Sequence, residues 1–320
     1  MRTTSILPAI SEKHNGASIY WITAKNAVSI FENNPFVKRV FADSADYLPM
    51  LQVQYFDAVY NLEADTYSST LAALAKSDNK FGFVMHPDGA VKPINDLADE
   101  WFLMGINDNI KKQNTKTYFE HIYHICDFKS TITPPKIFLS DSEKIITENF
   151  RLKYSFNSGK KIIGINTGAG KRWQLKKWGF SDHIALIEKI HQERKDTELV
   201  LFGGPEEEDY NKHIVNALSF SITDAGTQNS VRSFFALVDA VDILFTPDSL
   251  AMHAGVALDK NVIVYTGPTS YTELDVFGKG KVIRSNMECL SCYLNHCDKE
   301  INCMNTLSVD TMFAAITMFL

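Results

Sequence analysis

Hydrophobic positions in the second half of the chain gather into short continuous runs rather than alternating strips. Ile162-Ile163-Gly164-Ile165, Leu199-Val200-Leu201-Phe202, Ile243-Leu244-Phe245 and Val262-Ile263-Val264-Tyr265 are the clearest, with a shorter run at Ser221-Ile222-Thr223. Each stops at an Asn, Gly, Asp or Thr, as strands buried on both faces do where they open into a ligand crevice. Between them, segments 180–193, 209–218, 231–240 and 251–258 carry apolar residues at helical spacing. This alternation predicts an α/β fold with parallel sheets, and one doubly wound domain over about 158–305. The first half repeats the theme less clearly. It reads as helix 4–13, strand 17–22, helix 26–32, strands 37–41 and 56–62, helix 68–75 and strand 80–84. A Pro-Pro turn, a helix and a polar stretch between Pro134 and Gly159 mark the predicted boundary, giving domains 1–157 and 158–320.

One element is out of place. A doubly wound domain ordinarily begins with a strand that lies in the middle of its sheet, and this sequence opens on the helix that should follow it. Strands on either side would then lose a hydrogen-bonded partner in the sheet interior, where unpaired N–H and C=O groups are costly. The expectation is an N-terminal domain lacking its first strand, either truncated or rearranged.

Composition narrows the class. At 320 residues the chain has room for two domains. With 45% hydrophobic and 22% charged residues it should fold as a globule. Its net charge of −6 offers no global field for nucleic acid, so an anionic ligand must be met by a local cluster. The first residues lack a signal peptide's apolar stretch and no run is long enough to span a bilayer, which predicts a cytoplasmic protein. Four of the five cysteines crowd into 289–303 as Cys289, Cys292, Cys297 and Cys303. In a reducing compartment a structural zinc ion, free thiols or disulfides all remain open for them. Cys126 stands alone and is expected in the core.

Three strand-to-helix turns carry candidate chemistry. Asn166-Thr167-Gly168-Ala169-Gly170 exposes backbone N–H groups to a phosphate, and Lys171, Arg172, Lys176 and Lys177 follow with no acid among them. Gly203-Gly204-Pro205-Glu206-Glu207 places acids in a first helical turn, where they suit the helix dipole; one could also accept a bond from a sugar hydroxyl. Thr246-Pro247-Asp248-Ser249-Leu250 leads into a helix rich in small residues, with His253 one turn in; Asp248 or Ser249 could cap it. Trp173 and Trp178 flank the basic turn, suited to packing the helix start or to stacking on a base.

In order and spacing these turns, together with Gly267-Pro268-Thr269, resemble glycosyltransferase family 9, the ADP-heptose:lipopolysaccharide heptosyltransferases. Thr3-Thr4-Ser5-Ile6-Leu7-Pro8-Ala9-Ile10, Asn34-Pro35-Phe36-Val37 and Asn61-Leu62-Glu63-Ala64-Asp65 extend the resemblance over nearly the whole chain. It implies a GT-B architecture of two facing Rossmann-like domains, the first for acceptor and the second for nucleotide sugar. It also implies inverting transfer of heptose from ADP-heptose to the lipopolysaccharide inner core, with no cofactor required. The partners implied are an ADP-sugar, a lipid-linked saccharide and a transient contact with the inner membrane surface. Carried over, Thr167 and Gly168 approach the phosphates, Lys176 offsets the charge of the leaving diphosphate and Glu207 holds the ribose. Asp248, Ser249, Leu250 and His253 then line the sugar and diphosphate site. Family members often have Gly where Leu250 stands, which leaves room for another nucleotide sugar. The family's general base is an Asp in a Gly-Asp turn after the first strand, upstream of Met1 in this comparison. Glu63 and Asp65 are the nearby carboxylates that could replace it. The expectation is therefore little activity for the 320 residues as written, restored by an added strand-Gly-Asp segment, with a non-catalytic nucleotide-sugar binder as the rival reading.

Overall fold

In a computed structural model the chain divides into two compact units, Met1–Pro135 and Lys136–Leu320. The structure describes residues 1–42, 45–156, 159–170 and 173–320. The boundary lies before the expected 157/158. The reason is the helix α7 (Asp141–Lys153), which is fastened to the second unit by three polar contacts. Arg232 forms an ion pair with Glu143, the Thr147 hydroxyl donates to the Ala236 carbonyl at 2.8 Å, and Arg151 donates to the Ala240 carbonyl at 2.9 Å.

The first unit holds α1 (Ile6–Lys13), β1 (Ile19–Thr23), β2 (Val37–Ala42), α2 (Leu48–Val53), β3 (Val59–Asn61), α3 (Thr66–Leu74), β4 (Lys80–Met85), β5 (Val91–Pro93), α4 (Asp99–Ile106), α5 (Asp108–Lys112) and α6 (Tyr118–Ile125). Its strands form two separate sheets. One is the parallel pair β1–β2; the other runs β3–β4–β5, with β3 and β4 parallel and β5 antiparallel. Among the described residues, the inner edges of β1 and β3 have no strand partner. Between them runs a cavity of about 1230 Å³, lined by all of Ile19–Thr23 and Val59–Asn61 and roofed by side chains of α1, α2 and α3. Side-chain alternation along β3 shows that helices cover both of its faces. Val59 packs with Leu51 and Leu71, whereas the next residue, Tyr60, reaches His14 of α1 at 2.9 Å.

The second unit continues with β6 (Lys161–Asn166), α8 (Phe180–Glu193), β7 (Thr197–Phe202), α9 (Glu208–Ala217), β8 (Thr223–Asp224), α10 (Val231–Asp239), β9 (Ile243–Pro247), α11 (Leu250–Ala257), β10 (Asn261–Tyr265), β11 (Gly280–Ile283) and α12 (Val309–Thr317). All six strands are parallel, in the order β11–β10–β9–β6–β7–β8. The central runs are apolar on both sides because helices cover both faces: Ile162, Ile163 and Ile165 of β6 are fully buried. Gly164 lets β6 sit close to its neighbours, since a Cβ there would meet a ring carbon of Phe202 at 2.8 Å and Leu244 at 3.2 Å. Strand order reverses between β6 and β9, which is where an open α/β sheet forms its ligand crevice. Among the described residues no helix is long and apolar enough to cross a membrane.

Candidate functional site

The crevice is built from the turns leaving β6, β7, β9 and β10. After β6, Asn166 is buried and its side-chain amide donates to the Gly168 carbonyl at 2.9 Å and to the Thr246 hydroxyl at 3.0 Å. That pair of bonds ties the β6 turn to the β9 turn across the switch point. The buried Thr167 hydroxyl donates to Asn211 Oδ1 at 2.6 Å, and the Thr167 backbone N–H to the Phe202 carbonyl at 3.2 Å. Gly168 is required by proximity: a Cβ there would come within 2.6 Å of Glu207 Oε2.

Glu207 is 2% exposed. Its carboxylate accepts from the Gly204 backbone N–H at 3.1 Å and pairs with Lys177 at 2.9 Å. Gly203 packs against the same two side chains, with Asn211 Nδ2 2.8 Å and Glu207 Cβ 2.9 Å from where its own Cβ would be. Asn211 is a site residue the sequence reading missed. It stands four residues after Glu207 on the same helical face, the spacing that could have marked it. Its buried Nδ2 has no hydrogen-bond partner among the described residues.

Around β9 a second cluster forms. Lys176 is buried and donates to Asp248 Oδ2 at 2.6 Å; the Thr269 hydroxyl donates to the same oxygen at 3.1 Å. His253 Nε2 lies 4.0 Å from Asp248 Oδ1. Burial alone would raise the Asp248 carboxyl, but the Lys176 and His253 charges and the bonds from Lys176 and Thr269 outweigh it and hold it below the ordinary carboxylate range. Lys176 and Lys177, expected as cations open to phosphate, are thus already paired with carboxylates, while Lys171 and Arg172 lie outside the described residues.

The capping expectation fails. Neither Asp248 nor Ser249 bonds the first N–H groups of α11, because Asp248 is turned to Lys176 and the Ser249 hydroxyl to that of Thr246 at 3.1 Å. The first turn of α11 therefore presents its N–H groups to the crevice end of the helix. Leu250, its first residue, is 44% exposed. Trp178 takes the packing role: it is 2% exposed and its indole donates to the Leu307 carbonyl at 3.0 Å.

In the first unit Asp65 is the N-cap of α3. Its carboxylate accepts from the N–H groups of Tyr67 and Ser68 at 2.8 and 3.0 Å and from the Ser68 hydroxyl at 2.6 Å. Burial pushes it up, but those bonds prevail and hold it below the ordinary range. Glu63 behaves oppositely: desolvation first, then Asp65, raise its carboxyl against the pull of Arg2 and the Met1 amine. Asp65 is thus committed as a cap, whereas the Glu63 carboxyl is only raised by its surroundings.

All five cysteines are free in the structure, and Cys126 is fully buried as expected. Burial raises the Cys303 thiol to about 11, with Cys292, Cys289 and Cys297 adding to it, so the four lie near one another. Among the described residues, however, no group of three or more His, Cys, Asp or Glu is arranged to hold a metal ion. Cys303 instead packs on Gly267, where a Cβ would meet its Sγ at 2.4 Å, and Ser291 and Tyr293 bond back to the Gly267 and Pro268 carbonyls.

The family model for glycosyltransferase family 9 (heptosyltransferase) matches residues 49–301. A glycosyl transferase family 9 structure from Veillonella parvula is similar at a TM-score of 0.80 and 14% identity, over 99% of this chain and 92% of that one. The E. coli ADP-heptose lps heptosyltransferase II gives 0.71 and 16%, over 99% and 94%. E. coli heptosyltransferase WaaC with ADP gives 0.63 and 16%, over 100% and 96%. No curated protein matches the chain. These likenesses establish the α/β fold with parallel sheets, of GT-B type.

Proposed function

Because the chain belongs to glycosyltransferase family 9, we propose that it transfers a heptose from ADP-heptose to the lipopolysaccharide inner core, with inversion and at the cytoplasmic face of the inner membrane. The observation that carries this reading is the crevice between β6 and β9. There the uncapped first turn of α11 and the Lys176–Asp248 pair border one turn, and Gly168 and Glu207 border the other. The named partners of E. coli relatives, ADP and an ADP-heptose analogue, support a nucleoside diphosphate as the leaving group.

When the glycosidic bond to the diphosphate breaks, negative charge grows on the leaving oxygens. Fixed N–H groups and a buried lysine stabilise such charge without reorganising at the moment of reaction. Thr167 and Gly168 would admit the phosphates closely, with Asn211 fixing Thr167, and Glu207 would receive the ribose hydroxyls. Ser249 and His253 would line the sugar and diphosphate site beside Asp248. Glu63 would take the proton from the acceptor hydroxyl. Exposed Leu250, where relatives often have Gly, favours as second reading a donor carrying a different sugar.

Calorimetric titration with ADP, UDP and GDP tests the donor. ADP should bind at least tenfold more tightly than the others, and Lys176→Met should lower the transfer rate about 100-fold, the loss expected when one oxyanion donor is removed. Equal binding of all three nucleotides would sink the ADP reading.

A further inference from the structure

Two consecutive lysines divide the crevice. Lys177 turns to Glu207 at the β7 turn, and Lys176 turns to Asp248 at the end of β9. Two aromatic rings stand at the second of these ends. The Lys176 ammonium lies over the Trp173 ring, 5.9 Å from its centroid, and the Tyr293 ring meets that of Trp173 at 6.5 Å with the planes 68° apart. We propose that Trp173 and Tyr293 are a stacking surface for the donor's glycosyl ring, held by its C–H face, so that this pair sets the preference for the sugar rather than for the nucleotide. The proposal rests on the donor reading above.

Tyr293 comes from the cysteine-rich segment and is fixed from two sides. Its backbone N–H donates to the Pro268 carbonyl at 2.8 Å and its hydroxyl to Glu273 Oε1 at 3.4 Å. Nearby, the Ser291 N–H bonds the Gly267 carbonyl at 3.1 Å and the Ser291 hydroxyl bonds the Thr269 carbonyl at 3.5 Å. Thr269 in turn bonds Asp248, so Tyr293 is mounted on the turn that orders this carboxylate. Both rings are half-buried, whereas the neighbouring Trp178 is packed away in the core. The face of an aromatic ring is the negative side of its quadrupole. The C–H groups on one face of a pyranose carry partial positive charge, so the two associate while the sugar's hydroxyls bond to polar groups at the rim. With the ribose at Glu207, the attached base belongs to the Lys177 end of the crevice. The glycosyl group, on the far side of the diphosphate, then belongs to the Asp248 end, where the two rings are.

Calorimetric titration of the full chain with matched pairs tests this: ADP and ADP-heptose, UDP and UDP-glucose, GDP and GDP-mannose. On the pair that binds, Trp173→Ala should weaken the nucleotide sugar by about fivefold or more and its parent nucleotide by less than about twofold. Tyr293→Ala should act in the same direction, by about threefold, and Tyr293→Phe, which keeps the ring, should restore the wild-type ratio. Equal weakening of sugar and parent would make the rings a nucleotide or packing contact, and no weakening of either would remove them from the site; each result overturns the proposal. The donor reading fails on a different result, binding of the uridine or guanosine pair in place of the adenosine pair, and the effect of Trp173→Ala is then read on that pair. Should Trp173→Ala not fold, the emission of the wild type is compared with that of Trp173→Phe. Only the nucleotide sugar should alter the component that Trp173→Phe lacks; the same change with the parent nucleotide, or no change, refutes the stacking surface.

Discussion

The second unit encloses its central strand, and the first has a cavity between its two sheets. In the second, β6 is hydrogen-bonded to β7 and β9 and packed so closely that residue 164 has no room for a Cβ. In the first, β1 and β3 face a cavity of about 1230 Å³. The same arrangement of strands and covering helices thus occurs once closely packed and once around a cavity. Tolerance to mutation should therefore differ sharply between matching positions.

The largest difference should come from the pair that anchors α7 to the second unit. Arg232→Met leaves the Glu143 carboxylate buried without its partner and should cost about 4 kcal/mol, read as a lowered urea midpoint for the second unit's transition alone. Next is the strand itself. Gly164→Val drives a side chain into Phe202 and Leu244 and should cost about 3 kcal/mol in the same experiment.

The effect of pH is of similar size. Burial lowers His183 from 6.5 to about 4, its Nδ1 meeting the Gly179 carbonyl while Nε2 has no partner among the described residues. Between those values the unfolded chain binds a proton that the folded chain does not, so stability rises with pH across the window. It should be complete above pH 6.5 and fall by about 3 kcal/mol as pH drops to 4, a slope that His183→Phe removes. The smallest effect belongs to the wall of the first unit's cavity. Ala72→Leu, which adds volume beside empty space, should change stability by less than about 1 kcal/mol. A loss as large as that of Gly164→Val would mean the first unit is as tightly packed as the second.

The second unit's sheet was legible because strands buried on both faces read as unbroken apolar runs: four of its six strands lie where the pattern puts them, and β8 shares only Thr223 with the run at Ser221–Thr223. Strand β11 was missed: its four residues begin with Gly280 and Lys281, and only pairing with β10 makes them a strand. Helices α4–α6 and α12 were missed too, although Thr117 with Glu120 forms a capping box and Ser308 caps α12, both sequence-level signals. In the site, the turns were legible because Gly and small residues mark close approach. The pairings were not. Nothing local in the sequence says that Lys176 meets Asp248, 72 residues away, or that Thr269 shares the same oxygen. Acids at strand ends look alike in sequence, so Asp65 reads there as a possible base, and only the bonds to Tyr67 and Ser68 reveal a cap.

Asp248 stands where three turns of the second unit meet: Lys176 comes from the segment after β6, Thr269 from that after β10, and Asp248 itself from the end of β9. One carboxylate thereby acts as a clasp on three loops that would otherwise fluctuate independently. A ligand arriving at the crevice finds them already ordered, so little conformational entropy is lost on binding. The same clasp makes the loops interdependent, since any ligand that draws Lys176 away from Asp248 loosens all three at once.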